Sequence, residues 1–351
     1  MRVAGKAARV RRVTACVCVT ALCTGVGMAA PAAAGAAGTE TLAQVQARVG
    51  ALYREAEGAT EAYDAANERV GEQQRALVSL AITIDRTQTR LRGLTDEAGA
   101  LARAQYRDGG VSDTLRLALS ADPDTFLADA TLAARGERAA NSTIAALTAT
   151  RTALQGYAHA ATERWRQLVD DQAAAASARS RIQARLASAN ALLATLKARE
   201  RARLARLEDE AAYRAQSNWL TTKQAKSLVS GATTASPAGR RAIAFATRQI
   251  GRPYVWGATG PAAYDCSGLT SQAWAAAGVT IPRTSQEQWA RLPHVPVDRM
   301  RPGDLVIYFS DASHVAMYVG DGAIVHAPRP GRTVTLAGAG SMPILGVVRP
   351  G

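Results

Sequence analysis

The stretch YDCSGLTSQAW (residues 264–274) decides the fold of the second half of this chain. An aspartate followed by small and then apolar residues is typical of a helix N-terminus, and it predicts a helix from about Asp265 to Gly278. A further helical stretch, AGRRAIAFATRQIG, precedes it, and short β-type runs follow it. Helices that come before an antiparallel sheet predict an α+β domain over residues 240–351.

The expected strands are short runs rich in β-branched and aromatic residues, bounded by glycine, proline or polar residues. They are DLVIYFS (304–310), HVAMYVG (314–320), AIVHAP (323–328), TVTLAG (333–338) and ILGVVRP (344–350). The Asp321-Gly322 pair between the second and third runs predicts a tight hairpin turn.

The first half of the chain has a different pattern. From Leu42 to Leu101, apolar or small residues recur at alternating steps of three and four, which predicts a coiled-coil helix. The paired glycines of RDGG (107–110) predict its end, and a second long helix is expected from about Thr125 to Trp219. We therefore expect an all-α coiled-coil hairpin over residues 38–220, with single solvated helices or spacers as the alternative.

Two other segments flank these domains. Basic residues, an uncharged run and the small-residue stretch APAAAGAAG predict a signal peptide over residues 1–37. A lipid anchor at Cys23 and an uncleaved membrane helix are the alternatives. Residues 221–239 are rich in Thr, Ser, Gly and Pro, which predicts a flexible linker.

Removal of the predicted leader changes the cysteine content and the charge. Of four cysteines, Cys266 alone would remain, and the net charge would fall from +13 to +8. A basic exported protein suits an anionic partner such as a cell wall or membrane surface. Nucleic acid is disfavoured because no dense basic block interleaved with aromatic residues is found.

Cys266 has the setting of a nucleophile. At a helix N-terminus, the dipole and free N–H groups would favour its thiolate. His314 begins one predicted strand and His326 lies in the next, across the Asp321-Gly322 turn, so one imidazole could act as base and the other could orient it. The competing interpretation is a buried core cysteine with two packed histidines; a zinc site would need more ligands.

Four segments together resemble the catalytic domain of NlpC/P60 cell-wall peptidases, which have a papain-like α+β fold. They are RPYVWGATGPAAYDCSGLTSQAW, IPRTSQEQW, RPGDLVIYF and HVAMYVGDGAIVHAP. The resemblance implies that Cys266 is the nucleophile, His314 the base and His326 the orienting residue. It also implies a substrate cleft shaped by Tyr254, Asp265, Ser267, Arg283 and Ser285.

The resemblance further implies a secreted enzyme that cuts peptidoglycan stem peptides, typically between D-isoglutamate and diaminopimelate, in wall remodelling or daughter-cell separation. No metal or organic cofactor is called for. The alternatives are a thiol-dependent amidase or acyltransferase on the same fold, and a non-enzymatic coiled-coil wall scaffold. We also hypothesise that the hairpin inhibits the enzyme intramolecularly or docks it to a membrane-bound activator, with a passive spacer as the alternative.

Overall fold

Two long antiparallel helices, α1 (Leu42–Arg107) and α2 (Pro123–Thr195), begin the described part of the chain. The computed structural model describes residues 41–107, 123–230 and 234–351. The predicted signal peptide and most of the predicted hairpin turn lie outside these residues. Exposed ion pairs between Glu55 and Arg185 and between Arg69 and Asp171 join the two helices and show that they run antiparallel.

The hairpin helices pack through small and apolar side chains, as their spacing predicts. Val45 and Val49 of α1 form a core cluster with Ala189 of α2, and Ile182 is fully buried. The helical hairpin expected from the sequence is thus present.

The prediction that the second helix is continuous to Trp219 is wrong. It is interrupted after Thr195, and helix α3 (Ala198–Leu220) begins anew. Lys197 is extended, and its backbone N–H donates to the Glu200 carboxylate at 2.7 Å, a contact that caps the new helix. No glycine or proline marks this break, so the helical spacing alone could not reveal it.

The C-terminal sheet contains the five predicted strands and one short strand, His294–Val295, that was not predicted. Its strands are β1 (His294–Val295), β2 (Leu305–Tyr308), β3 (His314–Gly320), β4 (Ala323–His326), β5 (Thr335–Gly338) and β6 (Ile344–Val348). They are antiparallel in the order β1-β6-β2-β3-β4-β5. Asp321 and Gly322 both have positive φ, as the predicted tight turn requires. The expected α+β fold is confirmed.

One face of the sheet packs against α5 (Pro237–Arg248) and α6 (Cys266–Ala276). Because side chains alternate along a strand, Leu305, Ile307 and Val315 point to this face and join a core with Trp274 of α6. A short helix, α7 (Ser285–Arg291), lies beside α6 and follows the loop that carries Arg283.

The other face of the sheet is covered by the segment expected to be a linker. Residues Lys223–Ser230 form helix α4, and Leu228 is buried with Val306, Tyr308 and Ala316. Trp219 of α3 packs on the same cluster. Residues 221–230 therefore belong to the fold and are not the expected flexible linker. Apolar residues at helical spacing in this segment pack against one face of the sheet.

Helix α3 packs against the sheet at three glycines, Gly322, Gly338 and Gly340. Gln216 donates from Nε2 to the carbonyl of Gly322 at 3.2 Å and accepts from Gly340 N–H at 2.6 Å. A Cβ at Gly338 or Gly340 would overlap the side chains of Gln216 or Trp219. Residues 41–351 accordingly form one compact unit.

We expect Leu228→Ala to destabilise the chain by about 2–4 kcal/mol, because it leaves a cavity between α4 and the sheet. Urea unfolding, followed by tryptophan fluorescence, would measure the change. Leu220→Ala is the matched control, since Leu220 is 40% exposed. Equal and small effects of both changes would show that residues 223–230 act only as a tether.

None of the helices in the described ranges combines the length and the apolar character needed to cross a membrane.

Candidate active site

Cys266 is the first residue of α6, where the sequence predicts it. Asp265 caps this helix by accepting from Gly268 N–H at 2.6 Å. A side chain at Gly268 would collide with the carbonyl oxygen of Ala258, so this turn requires glycine. The thiol is 2% exposed, because α1 lies over it.

The two predicted histidines meet across neighbouring strands. His314 begins β3 and His326 ends β4, and both side chains are buried. His314 Nε2 lies 3.0 Å from His326 Nδ1, a hydrogen-bond distance. That contact leaves His314 Nδ1 as the ring nitrogen available to a reacting group. The Val315 backbone at the start of β3 lies close enough to the Cys266 thiol to lower its pKa, against the larger effect of burial.

The residues expected to shape the cleft surround the same cysteine. Arg283 donates to the Asp265 carboxylate at 2.6 Å and to Ser267 Oγ at 2.7 Å. Burial raises the pKa of Tyr254 well above its usual range, and the nearby Cys266 raises it further. The structure brings together all eight predicted site residues: Tyr254, Asp265, Cys266, Ser267, Arg283, Ser285, His314 and His326.

A glutamate of α1 occupies the centre of this site. Glu61 Oε1 accepts from Ser267 Oγ at 3.0 Å and lies 3.7 Å from Cys266 Sγ. Its Oε2 accepts from Ser285 N–H at 2.6 Å. Glu61 is 1% exposed, so its carboxyl fills the space beside the thiol.

Two more acidic side chains of α1 contact catalytic candidates. Glu57 Oε1 lies 3.6 Å from His314 Nδ1, the nitrogen left free by His326. Asp64 Oδ2 lies 3.1 Å from Arg283, and Tyr63 packs edge-on against Trp256. Helix α1 thus covers the thiol, the free nitrogen of the base and the cleft arginine together.

The electrostatics of the thiol are opposite to the sequence expectation in this closed arrangement. Burial raises the pKa of Cys266 well above its usual range, and the nearby carboxyls of Glu61, Asp265 and Glu57 raise it further. A helix N-terminus alone does not overcome these effects. The thiol is therefore held neutral while α1 is seated.

His326 is also held neutral. Burial lowers the pKa of His326 well below its usual range, and the neighbouring His314 lowers it further. A neutral imidazole can accept a hydrogen bond from, or donate one to, His314 without adding a positive charge to the site.

The sequence analysis missed the residues of α1 that enter the site. Glu57, Glu61 and Asp64 are spaced by four and three residues, so they lie on one face of the helix. This acidic stripe beside an apolar seam is the signal that was available. It reads as an ordinary solvated face unless the domain it contacts is known.

Comparisons with known proteins agree with this geometry. Residues 251–341 match the model of the NlpC/P60 family. The chain is 47% identical over 96 residues to a probable endopeptidase of Corynebacterium glutamicum, covering 27% of this chain and 46% of that protein. It is 45% identical over 87 residues to the probable endopeptidase p60 of Listeria seeligeri, covering 24% of this chain and 17% of that protein.

A solved structure is matched over nearly its whole length. The NlpC/p60 domain of the peptidoglycan hydrolase SagA is 32% identical, and the match covers 97% of that domain and 32% of this chain, with a TM-score of 0.30. Residues 251–341 of this chain form an NlpC/P60 domain, as the family match shows. That match confirms the resemblance found in the sequence.

The NlpC/P60 match includes all eight predicted site residues and none of α1 or α2. The chain spans less than half the length of the two curated relatives described above. The acidic stripe over the active site is therefore a feature of this chain that the family match does not describe.

Proposed function

We propose that this protein is a latent cysteine peptidase that hydrolyses peptidoglycan stem peptides, at the bond between D-isoglutamate and diaminopimelate. The observation that carries the proposal is the grouping of Cys266 at the start of α6 with the hydrogen-bonded pair His314 and His326. The NlpC/P60 match of residues 251–341 and the names of the endopeptidase relatives support it.

In the proposed mechanism, His314 takes the thiol proton and the Cys266 thiolate attacks the scissile carbonyl. His314 then returns the proton to the leaving amine, and a thioacyl-enzyme remains. Water activated by His314 hydrolyses this intermediate and frees the thiol. His326 fixes the ring orientation of His314 through the 3.0 Å contact.

The contacts of Glu61 support an acidic peptide substrate. Ser285 N–H and Ser267 Oγ hold a carboxyl group beside the thiol, and Arg283 lies next to Ser267. Stem peptides carry free carboxylates that such donors can bind once Glu61 has left. This carboxylate-binding arrangement favours a peptidase over a thiol amidase that acts on glycan-linked amides.

Inhibition by α1 is the second part of the proposal. Glu61 blocks the thiol and Glu57 lies against the free nitrogen of His314, so no substrate carbonyl can reach Cys266 while α1 is seated. A passive spacer would not place buried carboxyls in the site. We propose that the protein is exported and that a membrane-bound activator displaces the hairpin from the active site.

The deciding experiment digests purified muropeptides with the full chain carrying Glu61→Trp, a change designed to keep α1 from seating. Mass spectrometry of the products should show cleavage within the stem, at the D-isoglutamyl bond. Cleavage only between stem and glycan would instead identify an amidase. An absence of any product from the opened chain would contradict the proposed peptidase.

The two histidines should differ in importance. In the Glu61→Trp background, His314→Ala is expected to lower kcat by about 10³-fold, because it removes the general base. His326→Ala should cost about 10 to 10²-fold, and His326→Gln less, because an amide can still hydrogen-bond His314. Steady-state kinetics on a soluble stem peptide would measure both, with circular dichroism as the folding control. If His326→Ala were the more damaging change, the two roles would be exchanged.

A further inference from the structure

The space where α1 meets the catalytic residues holds more acidic than basic side chains. Glu57, Glu61 and Asp64 enter from α1 and meet Asp265, and all four are nearly or fully buried. Arg283 is the guanidinium that pairs with Asp265 and Asp64. If all four carboxyls were ionised, the buried group would carry a large uncompensated negative charge, which is costly in a dry site.

Glu61 is the most enclosed of the three acidic side chains that α1 contributes. Its surroundings include titratable groups from α1 and from the catalytic domain on every side. Those that interact with Glu61 are Asp64, Tyr254, Asp265, Cys266 and Arg283. Glu57, one turn earlier on α1, contacts His314, which is in turn within hydrogen-bond distance of His326. Its hydrogen bonds come from Ser267, Ser285 and the thiol, none of which supplies a positive charge.

Asp64 has the same difficulty. Its Oδ2 is buried without a hydrogen-bond partner in the described residues, and the 3.1 Å contact with Arg283 lacks hydrogen-bond geometry. Arg283 is already engaged by Asp265 at 2.6 Å. One guanidinium therefore serves two carboxyls while Glu61 remains unpaired.

We propose that Glu61 and Asp64 form a proton-dependent latch: seating α1 on the active site takes up protons, and rising pH releases α1 and exposes Cys266. This inference rests on the proposed inhibition by α1. When α1 leaves, Glu61 and Asp64 return to water and ionise freely, which is how the protons are released.

The expected titration agrees in sign. Burial, with help from Asp265 and Asp64, raises the pKa of Glu61 from 4.5 to about 8, and burial raises the pKa of Asp64 to about 7. A group whose pKa is raised in the closed state favours closure at low pH, and the advantage is lost as pH rises towards the raised value. Between about pH 6 and 8, release of one proton favours opening about tenfold per pH unit.

His326 opposes this effect only at lower pH. Burial lowers its pKa in the closed state, so opening lets it take up a proton below its usual range. Above about pH 6.5 an exposed histidine is largely neutral, and the carboxyls then dominate.

The test measures how fast iodoacetamide alkylates Cys266 in the full chain from about pH 6 to 8, read by peptide mass spectrometry. Ionisation of the thiol itself also changes the alkylation rate with pH. To remove this effect, the rate for wild type is divided by the rate for Glu61→Gln at each pH. This variant keeps the shape of the protonated side chain and cannot ionise. We expect the ratio of rates to rise about tenfold per pH unit and to level off near pH 8.

Glu55→Gln is the matched control, because Glu55 is an exposed glutamate of the same helix. The ratio of the Cys266 alkylation rate in wild type to that in Glu55→Gln should stay constant with pH. A wild type to Glu61→Gln ratio that is flat or falls with pH would overturn the latch. Since alkylation needs no substrate, a flat ratio in a chain that cleaves stem peptides refutes the latch alone, and a rising ratio without cleavage refutes the peptidase alone.

Discussion

Glu61→Trp is expected to raise the turnover of a soluble stem peptide by the full chain about 100-fold. The Glu61 carboxyl is 1% exposed and already contacts Ser285 N–H at 2.6 Å, so an indole cannot fit in its place. Overpacking costs about 1–3 kcal/mol, and each lost hydrogen bond about 0.5–1.5 kcal/mol. Together these reach about 3 kcal/mol, and 1.4 kcal/mol corresponds to tenfold.

Glu55→Trp provides the control for this gain, because Glu55 lies on the same helix and is 52% exposed on its side chain. It should leave turnover within about twofold of wild type. Equal rates for wild type and Glu61→Trp, with both chains active, would show that α1 does not limit access to Cys266.

Cys266→Ala, placed in the opened Glu61→Trp chain, is expected to lower stem-peptide cleavage by at least about 10⁴-fold. The alanine removes the sulfur that forms the thioacyl bond, and no group replaces it. The measurement is product formation over long incubation, followed by mass spectrometry. Cys266→Ser is the matched variant, since it keeps a similar size and a hydrogen-bonding group but is a far weaker nucleophile in this setting.

Both cysteine variants should keep the fold, because the change in core volume is small. Near-unchanged circular dichroism and thermal unfolding would confirm this. If Cys266→Ala retained more than about 1% of the activity of the opened chain, Cys266 would not be the nucleophile.

The NlpC/P60 resemblance, five of the six strands and the residues that meet around Cys266 are readable from the sequence. Short β-type runs on either side of Asp321-Gly322 predict β3 and β4, and the turn brings the His314 and His326 side chains within hydrogen-bond distance. The aspartate before Cys266 predicts the helix start that places the thiol. Each of these features depends on neighbours within a few residues or on one tight turn, so local patterns suffice.

The contacts between distant segments were decided by the tertiary structure. Glu61 lies 205 residues from Cys266 in the chain, and its spacing on α1 fits a solvated face as well as a buried one. Leu228 lies in a segment whose composition predicts a linker, yet it covers a sheet face formed by later strands. The raised pKa of the thiol follows from burial under α1, which a helix N-terminus read in isolation cannot include. The sequence by itself determines the chemical groups and the local elements that carry them. Whether those groups are exposed or buried, and therefore charged or neutral, depends on long-range packing.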